Sequence, residues 1–366
     1  MFDDCLIMAG GAGTRLWPAS NSRLPKQFLP AFDKKSFFSL ALERALEVTG
    51  DGQVIIITGK SHIPHVIEDT AKFSAAKRKK FLVIGEPMAK NTAPAIACAV
   101  IYSQICGNNR KMLVLTSDHI IKPLEIFKKD AFLAASAAQT GKLVVFGIPP
   151  IRPETGFGYI ETGKTTKNVY EVAAFHEKPN LQTAKKYASS KRFFWNSGMF
   201  AFSPDFIAQE FDRLAPEVFS PFKKLKAPKP ETYITTKGVK ILTSWSGLDN
   251  AYRNTKSISF DYAIAEKCGN TAMVRANFDW IDIGNWEEYV KICGGSNSQI
   301  FNAGAENCYV DSDIPVALAG VDDLIVVIRS GKNGEPASAL ITRKGQTQKV
   351  RDVVEEIKKA GRADLL

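Results

Sequence analysis

Short apolar runs separated by stretches of helical spacing constrain this chain more than any other feature. The runs are Cys5–Ala9, Val54–Thr58, Phe81–Ile84, Met112–Thr116 and Leu143–Phe146; helical spacing occupies Phe37–Val48, Ala93–Ile105 and Leu124–Ala138. Runs that are apolar throughout, rather than at every second residue, fit strands buried on both faces, and parallel neighbours need helical crossovers. The pattern predicts an α/β fold with a parallel sheet covered by helices on both sides. From about Ile151 the texture changes: "ETGFGYIETG", "VYEVAAFHEKP" and "FFWNSGMFAF" are aromatic and partly alternating, so mixed or antiparallel strands should extend the sheet and close over its pocket. The 366 residues suit roughly two domains. The passage Gly294–Asn307 reads as their boundary, giving 1–293 and 294–366. Beyond it lie short β-type runs and a helical tail from about Val350, with no evident fixed-period repeat. Pro221–Pro230 reads as a surface loop.

The residues just past each strand narrow the chemistry. Gly10-Gly11-Ala12-Gly13 succeeds the first, Gly85-Glu86-Pro87 the third and Ser117-Asp118-His119 the fourth. Open α/β sheets bind ligands beyond the carboxyl ends of their strands. The glycine loop is neither a dinucleotide fingerprint, since Leu16 stands where the last glycine belongs, nor a Walker loop, since no G-K-[ST] closes it. A plain strand-to-helix turn is the bland alternative. Arg15 and Lys26 favour phosphate: bare backbone N–H groups approach its oxygens, a helix start adds its dipole, and the two cations offset a triphosphate's charge. Pro18 and Pro25 stiffen the segment between them.

Bulk charge agrees without deciding. Forty-eight basic against 38 acidic residues give +10, which fits polyanionic small molecules as well as nucleic acid. The basic residues are scattered, however, and the one tight run, Lys77–Lys80, reads as a solvated helix end. Six cysteines form no CxxC pair, as expected of reduced thiols in a cytoplasmic protein. Asp3 and Asp4 stand where a signal peptide would be basic, and no apolar run approaches membrane length. Neither nucleic acid nor membrane is an expected partner. His62 and His65 lack the further ligands that zinc would need.

The series "GGAGTRLWPAS…PKQFL", "EPMAKNTAPAIA", "LTSDHII", "ETGFGYIETG", "FHEKP", "WNSGMFAF", "SFDYAIAEK" and "WIDIGNW" resembles the sugar-nucleotidyltransferases, and its PKQFL ending is similar to the mannose-1-phosphate guanylyltransferases. The resemblance covers most of residues 4–290 in order. It implies a Rossmann-like nucleotidyltransferase domain with a mixed, mainly parallel sheet, followed by a small β-rich, β-helix-like domain through which a homodimer contact is possible. It also implies that the C1 phosphate of mannose 1-phosphate attacks the α-phosphorus of GTP, giving GDP-mannose and pyrophosphate with Mg²⁺ as cofactor. No protein nucleophile is needed, because the sugar phosphate is already anionic.

Carried onto this sequence, the resemblance makes Arg15, Lys26 and Asp118 catalytic, with Asp118 and Asp282 as metal ligands. Asp118 could instead cap a helix, Asp282 could be a turn carboxylate beside Gly284, and Asp279 competes with it locally. Nucleotide contacts fall to Gly10, Gly11, Gly13, Thr14, Glu86, Asn91, Thr92 and Ala95. Asn91 and Thr92 could equally cap the following helix. The sugar phosphate falls to Gly158, Tyr159, Glu177, Lys178, Asn196 and Asp261, with Lys178 otherwise an exposed turn residue and Trp195 core or pocket wall. The histidines have no assigned role. The isomerase-type second domain of bifunctional relatives is not expected, and "GKNGE" followed by "PASALITRKGQ" departs from the family's tail. The rival functions are transfer to another hexose 1-phosphate or from another nucleotide, a non-catalytic nucleotide-sugar sensor, and a nucleic-acid binder.

Overall fold

The structure, a computed structural model, describes all residues except 12, 33–34, 108–110, 167, 294–298 and 332–335. The expected boundary at Gly294 and most of the "GKNGE" departure lie outside the described residues. The chain forms two compact units. The first comprises Met1–Gly10, Ala41–Ser117 and Ile121–Trp280; the second comprises Gly11–Leu40, Asp118–Ile120 and Ile281–Leu366. This differs from the contiguous division at 293/294, because shared packing rather than chain order decides membership.

In the first unit the strands are β1 (Asp4–Met8), β2 (Val54–Gly59), β3 (Phe81–Glu86) and β4 (Met112–Thr116). After β5 (His119–Lys122) come β6 (Leu143–Ile148), β7 (Tyr159–Thr166), β8 (Val169–His176), β9 (Phe193–Phe202), β10 (Tyr233–Thr236), β11 (Val239–Leu242) and β12 (Thr271–Arg275). β13 (Asp279–Asp282) pairs with β5 as a separate ribbon, and the unit boundary runs through both strands. The large sheet has the order β10-β11-β3-β2-β1-β4-β9-β6-β12-β8-β7. β11, β3, β2, β1 and β4 form a continuous parallel block. β9 then enters antiparallel between β4 and β6, which makes the sheet mixed where the sequence turns aromatic.

The five expected strands and three expected helices all form, with ends shifted by at most two residues. Helix Thr92–Cys106 is apolar all round, and Ala93–Ser103 is buried throughout. Its core partners include Leu6, Ile55, Leu82, Val114, Phe200, Phe211 and Phe260. Truncating a residue such as the fully buried Phe260 to Ala should cost about 3–5 kcal/mol. The expected loop at Pro221–Pro230 is more anchored than its composition suggests: Phe222 and Leu225 are buried, and the Trp245 indole N–H donates to the Lys226 carbonyl at 2.8 Å.

The second unit has its own core of Leu16, Trp17, Phe37, Ile120, Ile283, Trp286, Ile325, Val327, Val350 and Val354. The Trp286 indole N–H donates to the Trp17 carbonyl at 2.9 Å, so residues far apart in sequence are tied into one body. Its strands are β14 (Ile300–Ala303), β15 (Tyr309–Ser312), β16 (Val316–Ala319), β17 (Leu324–Arg329) and β18 (Ser338–Arg343). β14 pairs in parallel with β16, and β15 with β17; the offset is 16 residues, as in the Glu306–Asp322 bridge. The turns repeat too: Gly304 and Gly320 have φ of 73° and 58°, Asn307 and Asp323 of 52° and 56°. This is a β-helix-like coil, and it corrects the reading that no fixed period exists. The two turns share backbone geometry but little spelling. The expected C-terminal helix forms as Val350–Lys359, and a short turn, Ala363–Leu365, follows it. Among the described residues, no helix is long and apolar enough to cross a membrane.

Candidate functional site

The expected site residues gather into two groups, one in each unit. In the second unit, Gly11 and Gly13 adopt φ of 88° and 63°, and Ala12 between them lies outside the described residues. A Cβ on Gly13 would sit 2.3 Å from the Lys26 Cβ, so only glycine lets Lys26 pass this close to the loop. Thr14 opens a three-residue turn, Thr14–Leu16, whose carbonyls at Gly13 and Thr14 accept from Leu16 and Trp17 N–H. Among the described residues only the three-residue turn Thr14–Leu16 directly succeeds the loop, so the expected helix dipole is not available to an anion there. Backbone N–H groups and cations remain.

Lys26 is 6% exposed, and its Nζ donates to Asp118 Oδ2 at 2.8 Å and Asp282 Oδ1 at 3.3 Å. Burial pulls this ammonium down, but the two carboxylates outweigh it and hold its pKa above the ordinary lysine value. Burial likewise opposes ionisation of Asp118; Lys26 first, then His119 and Arg15, carry that carboxyl well below the usual range. The Arg15 guanidinium lies by Gly284, with Nη1 3.5 Å from where a Cβ would stand, and the Gly284 N–H donates to Glu288 Oε2 at 2.7 Å.

Asp118 leads into β5 rather than a helix, so the cap alternative fails. Asp282 closes β13, and Asp279, at the strand's other end, is exposed and outside the cluster. Asp118, His119 and Asp282 each present a ligand atom, all within 4.8 Å of one another; among the described residues they form the group able to hold a metal ion. His119 is the member of this group that has no role assigned from sequence. Its signal was position: it directly follows Asp118 at a strand's carboxyl edge.

In the first unit, Gly10 ends the segment after β1, and a Cβ there would stand 3.6 Å from Glu86 Oε2. The Tyr252 hydroxyl donates to Glu86 Oε1 at 3.0 Å. Burial pushes the Glu86 carboxyl up to about 7 against that hydrogen bond. Asn91 has φ 69°, and its side chain accepts from Thr92 N–H at 2.9 Å as the helix N-cap. The Thr92 hydroxyl accepts from Phe260 N–H at 2.8 Å, which ties the helix start to the segment bearing Asp261. Ala95 is buried.

Asp261 opens a π-helical turn, Asp261–Ala265, a rare conformation that is frequent at functional sites. Its Oδ1 accepts from Asn196 Nδ2 at 2.6 Å. Burial, then neighbouring Glu177, raise its pKa above the ordinary aspartate value, against the Asn196 hydrogen bond. Lys178 Nζ donates to Glu177 Oε1 at 2.7 Å and lies over the Tyr262 ring at 5.9 Å. That hydrogen bond is the main reason its pKa is raised. Lys178 has φ 45°, a left-handed conformation of the kind that persists when surroundings impose it. A Cβ on Gly158 would meet Glu177 Oε2 at 2.4 Å, and the Gly158 carbonyl accepts from Asn196 N–H at 2.8 Å. Glu177, Lys178, Asn196, Asp261 and Gly158 are therefore brought together. Tyr159 departs from the expectation that it shapes the sugar floor: its ring is fully buried, and its hydroxyl accepts from Glu154 N–H at 2.9 Å. Trp195 is buried, as expected of core or wall. Tyr252 and Tyr262 were invisible to spacing, because their partners are distant in sequence.

The Nucleotidyl transferase family model matches residues 4–297. The Xanthan biosynthesis protein XanB of Xanthomonas campestris is 32% identical over 98% of this chain and 74% of its own length. The mannose-1-phosphate guanylyltransferase of Salmonella montevideo is 33% identical over 96% of this chain and 73% of its own. Among solved structures, one named mannose-1-phosphate geranyltransferase from Thermus thermophilus has a TM-score of 0.80 at 27% identity, covering 97% of this chain and 99% of that one.

Proposed function

The chain belongs to the nucleotidyl transferase family, among the mannose-1-phosphate guanylyltransferases, and from that premise we propose that it joins GTP and mannose 1-phosphate into GDP-mannose and pyrophosphate. A phosphate oxygen of the sugar phosphate bonds to the α-phosphorus. The bond from that phosphorus to the bridging oxygen of the β-phosphate breaks, and pyrophosphate leaves with the electron pair. The observation that carries this reading is the Lys26–Asp118–Asp282 cluster, which Gly13 lets approach the loop after β1.

The loop N–H groups, Thr14, Arg15 and Lys26 hold the triphosphate, and Lys26 stabilises charge passing to pyrophosphate. The family typically uses a divalent metal, and two aspartate oxygens converging on one cation fit a hard ion such as Mg²⁺. Bound at Asp118 and Asp282, it would supply charge neutralisation to the phosphates. Gly10, Glu86, Asn91, Thr92 and Ala95 serve the base and ribose. Lys178 meets the sugar phosphate; Glu177, Asn196 and Asp261 serve sugar hydroxyls, with Gly158 leaving them room. Tyr159 supports this segment from the core. The six free cysteines suit the reducing cytoplasm.

The test is pyrophosphate release that requires GTP, mannose 1-phosphate and Mg²⁺ together. Equal turnover with UTP, dTTP or ATP, or with another hexose 1-phosphate, would defeat the assignment.

A further inference from the structure

His119 is 8% exposed, and nothing in the reaction above uses it. Its Nε2 lies 3.7 Å from Asp118 Oδ1 and 3.7 Å from Asp282 Oδ1. The two carboxylates come from different segments, Asp118 just before β5 and Asp282 at the end of β13, yet both face one imidazole nitrogen. Ligands about 2.1–2.2 Å from a common ion stand about 3.0 Å apart at a right angle and about 4.4 Å apart in opposition. Both measured spacings fall inside that interval. The imidazole nitrogen therefore faces the same two carboxylates that hold the Lys26 ammonium, the place where a divalent cation would be received.

We infer that His119 is a third protein ligand of the divalent ion, alongside Asp118 and Asp282, and that it gives the site a preference for ions that accept nitrogen. Imidazole suits first-row transition ions, whereas Mg²⁺ favours oxygen donors and keeps waters. The inference rests on the metal role proposed for the two aspartates. It adds a prediction that an all-oxygen site would not make: bound Mn²⁺ couples to a directly ligated nitrogen, and the margin by which Mn²⁺ and Co²⁺ bind more tightly than Mg²⁺ shrinks when this one residue is removed.

The experiment uses the full chain with metal alone. Pulsed electron paramagnetic resonance of bound Mn²⁺ reads nitrogen coupling from a directly ligated imidazole, and titration calorimetry reads affinity for Mn²⁺, Co²⁺ and Mg²⁺. The wild-type protein should show nitrogen coupling. His119→Asn should lose it and bind Mn²⁺ and Co²⁺ about 10-fold or more weakly, with Mg²⁺ affinity changed much less. Circular dichroism and melting of the variant establish that it is folded, and His119→Gln serves if it is not. Asp118→Asn separates the histidine's role from that of the aspartates. If it abolishes Mn²⁺ binding while wild-type Mn²⁺ shows no nitrogen coupling, the role of His119 is overturned and the aspartate site stands. If wild-type protein binds none of the three ions, with or without GTP, both are overturned.

Discussion

The two clusters of acidic residues solve opposite electrostatic problems. In the second unit, Asp118 and Asp282 share one buried lysine, and Asp118 is held ionised far below the usual carboxylate range. In the first unit, Glu86 and Asp261 are pushed the other way by burial, with hydrogen bonds from Tyr252 and Asn196 in place of a buried cation. On the proposed assignment, charge that would meet a polyphosphate or a metal is kept permanent, whereas carboxyls that would meet neutral hydroxyls or a base need only hydrogen bonding, so burial can suppress their charge. The difference separates what each cluster can recognise.

The contrast breaks most visibly at Lys26. Lys26→Ala should lower kcat by two orders of magnitude or more, by analogy with a lost oxyanion donor worth about 3–4 kcal/mol. Its melting temperature should fall without divalent ion, since two carboxylates are left facing each other, and recover when Mg²⁺ is added. Near wild-type kcat would contradict the role assigned to this lysine. Asp118→Asn should lose at least 100-fold in kcat, whereas Asp261→Asn, which alters a carboxyl already biased toward its neutral form, should lose under 10-fold. Equal losses in the two would erase the distinction between the clusters.

Gly13→Ala should cost about 10-fold or more in kcat/KM, because its Cβ claims space within 2.3 Å of the Lys26 Cβ. Crystals of the variant should show Lys26 displaced. Lys178→Gln should raise KM for mannose 1-phosphate several-fold more than KM for GTP; matched increases would remove Lys178 from the sugar side.

The smallest effect is on stability against pH. The Glu86 carboxyl titrates at about 7 in the folded chain against an ordinary value of 4.5. Between those values the unfolded chain has released a proton that the folded chain still holds. The contribution of Glu86 is thus full below about pH 4.5 and is lost as pH rises toward 7. Glu86→Gln should flatten that part of the curve in denaturant titrations, and an unchanged slope would show that Glu86 is ordinarily ionised.

The parallel block was legible because each of its strands is buried on both faces and therefore spelled in unbroken apolar letters. Arg15 and Asp118 were legible because each follows soon after a strand end, whereas Lys26, farther along the loop, and Asp282, inside β13, drew their expected catalytic and metal roles from the family resemblance. Three things were not legible. The helix expected after the glycine loop is only Thr14–Leu16, since the following residues are held by tertiary packing of Leu16 and Trp17 rather than by helical hydrogen bonding. His119 was hidden because its second partner, Asp282, lies far along the chain. The sixteen-residue offset was hidden because Gly304 and Gly320, or Asn307 and Asp323, preserve a backbone angle while their neighbours differ.

That offset sets a rule for how the C-terminal region can change length. Adding one whole coil after Ala319 would return every following side chain to the face it now occupies, and the stack would simply grow taller. An insertion of any other size must either bulge out at a corner or rotate all later residues away from the interior. Lineages carrying this module should therefore differ in length by jumps of a full winding, not by gradual drift.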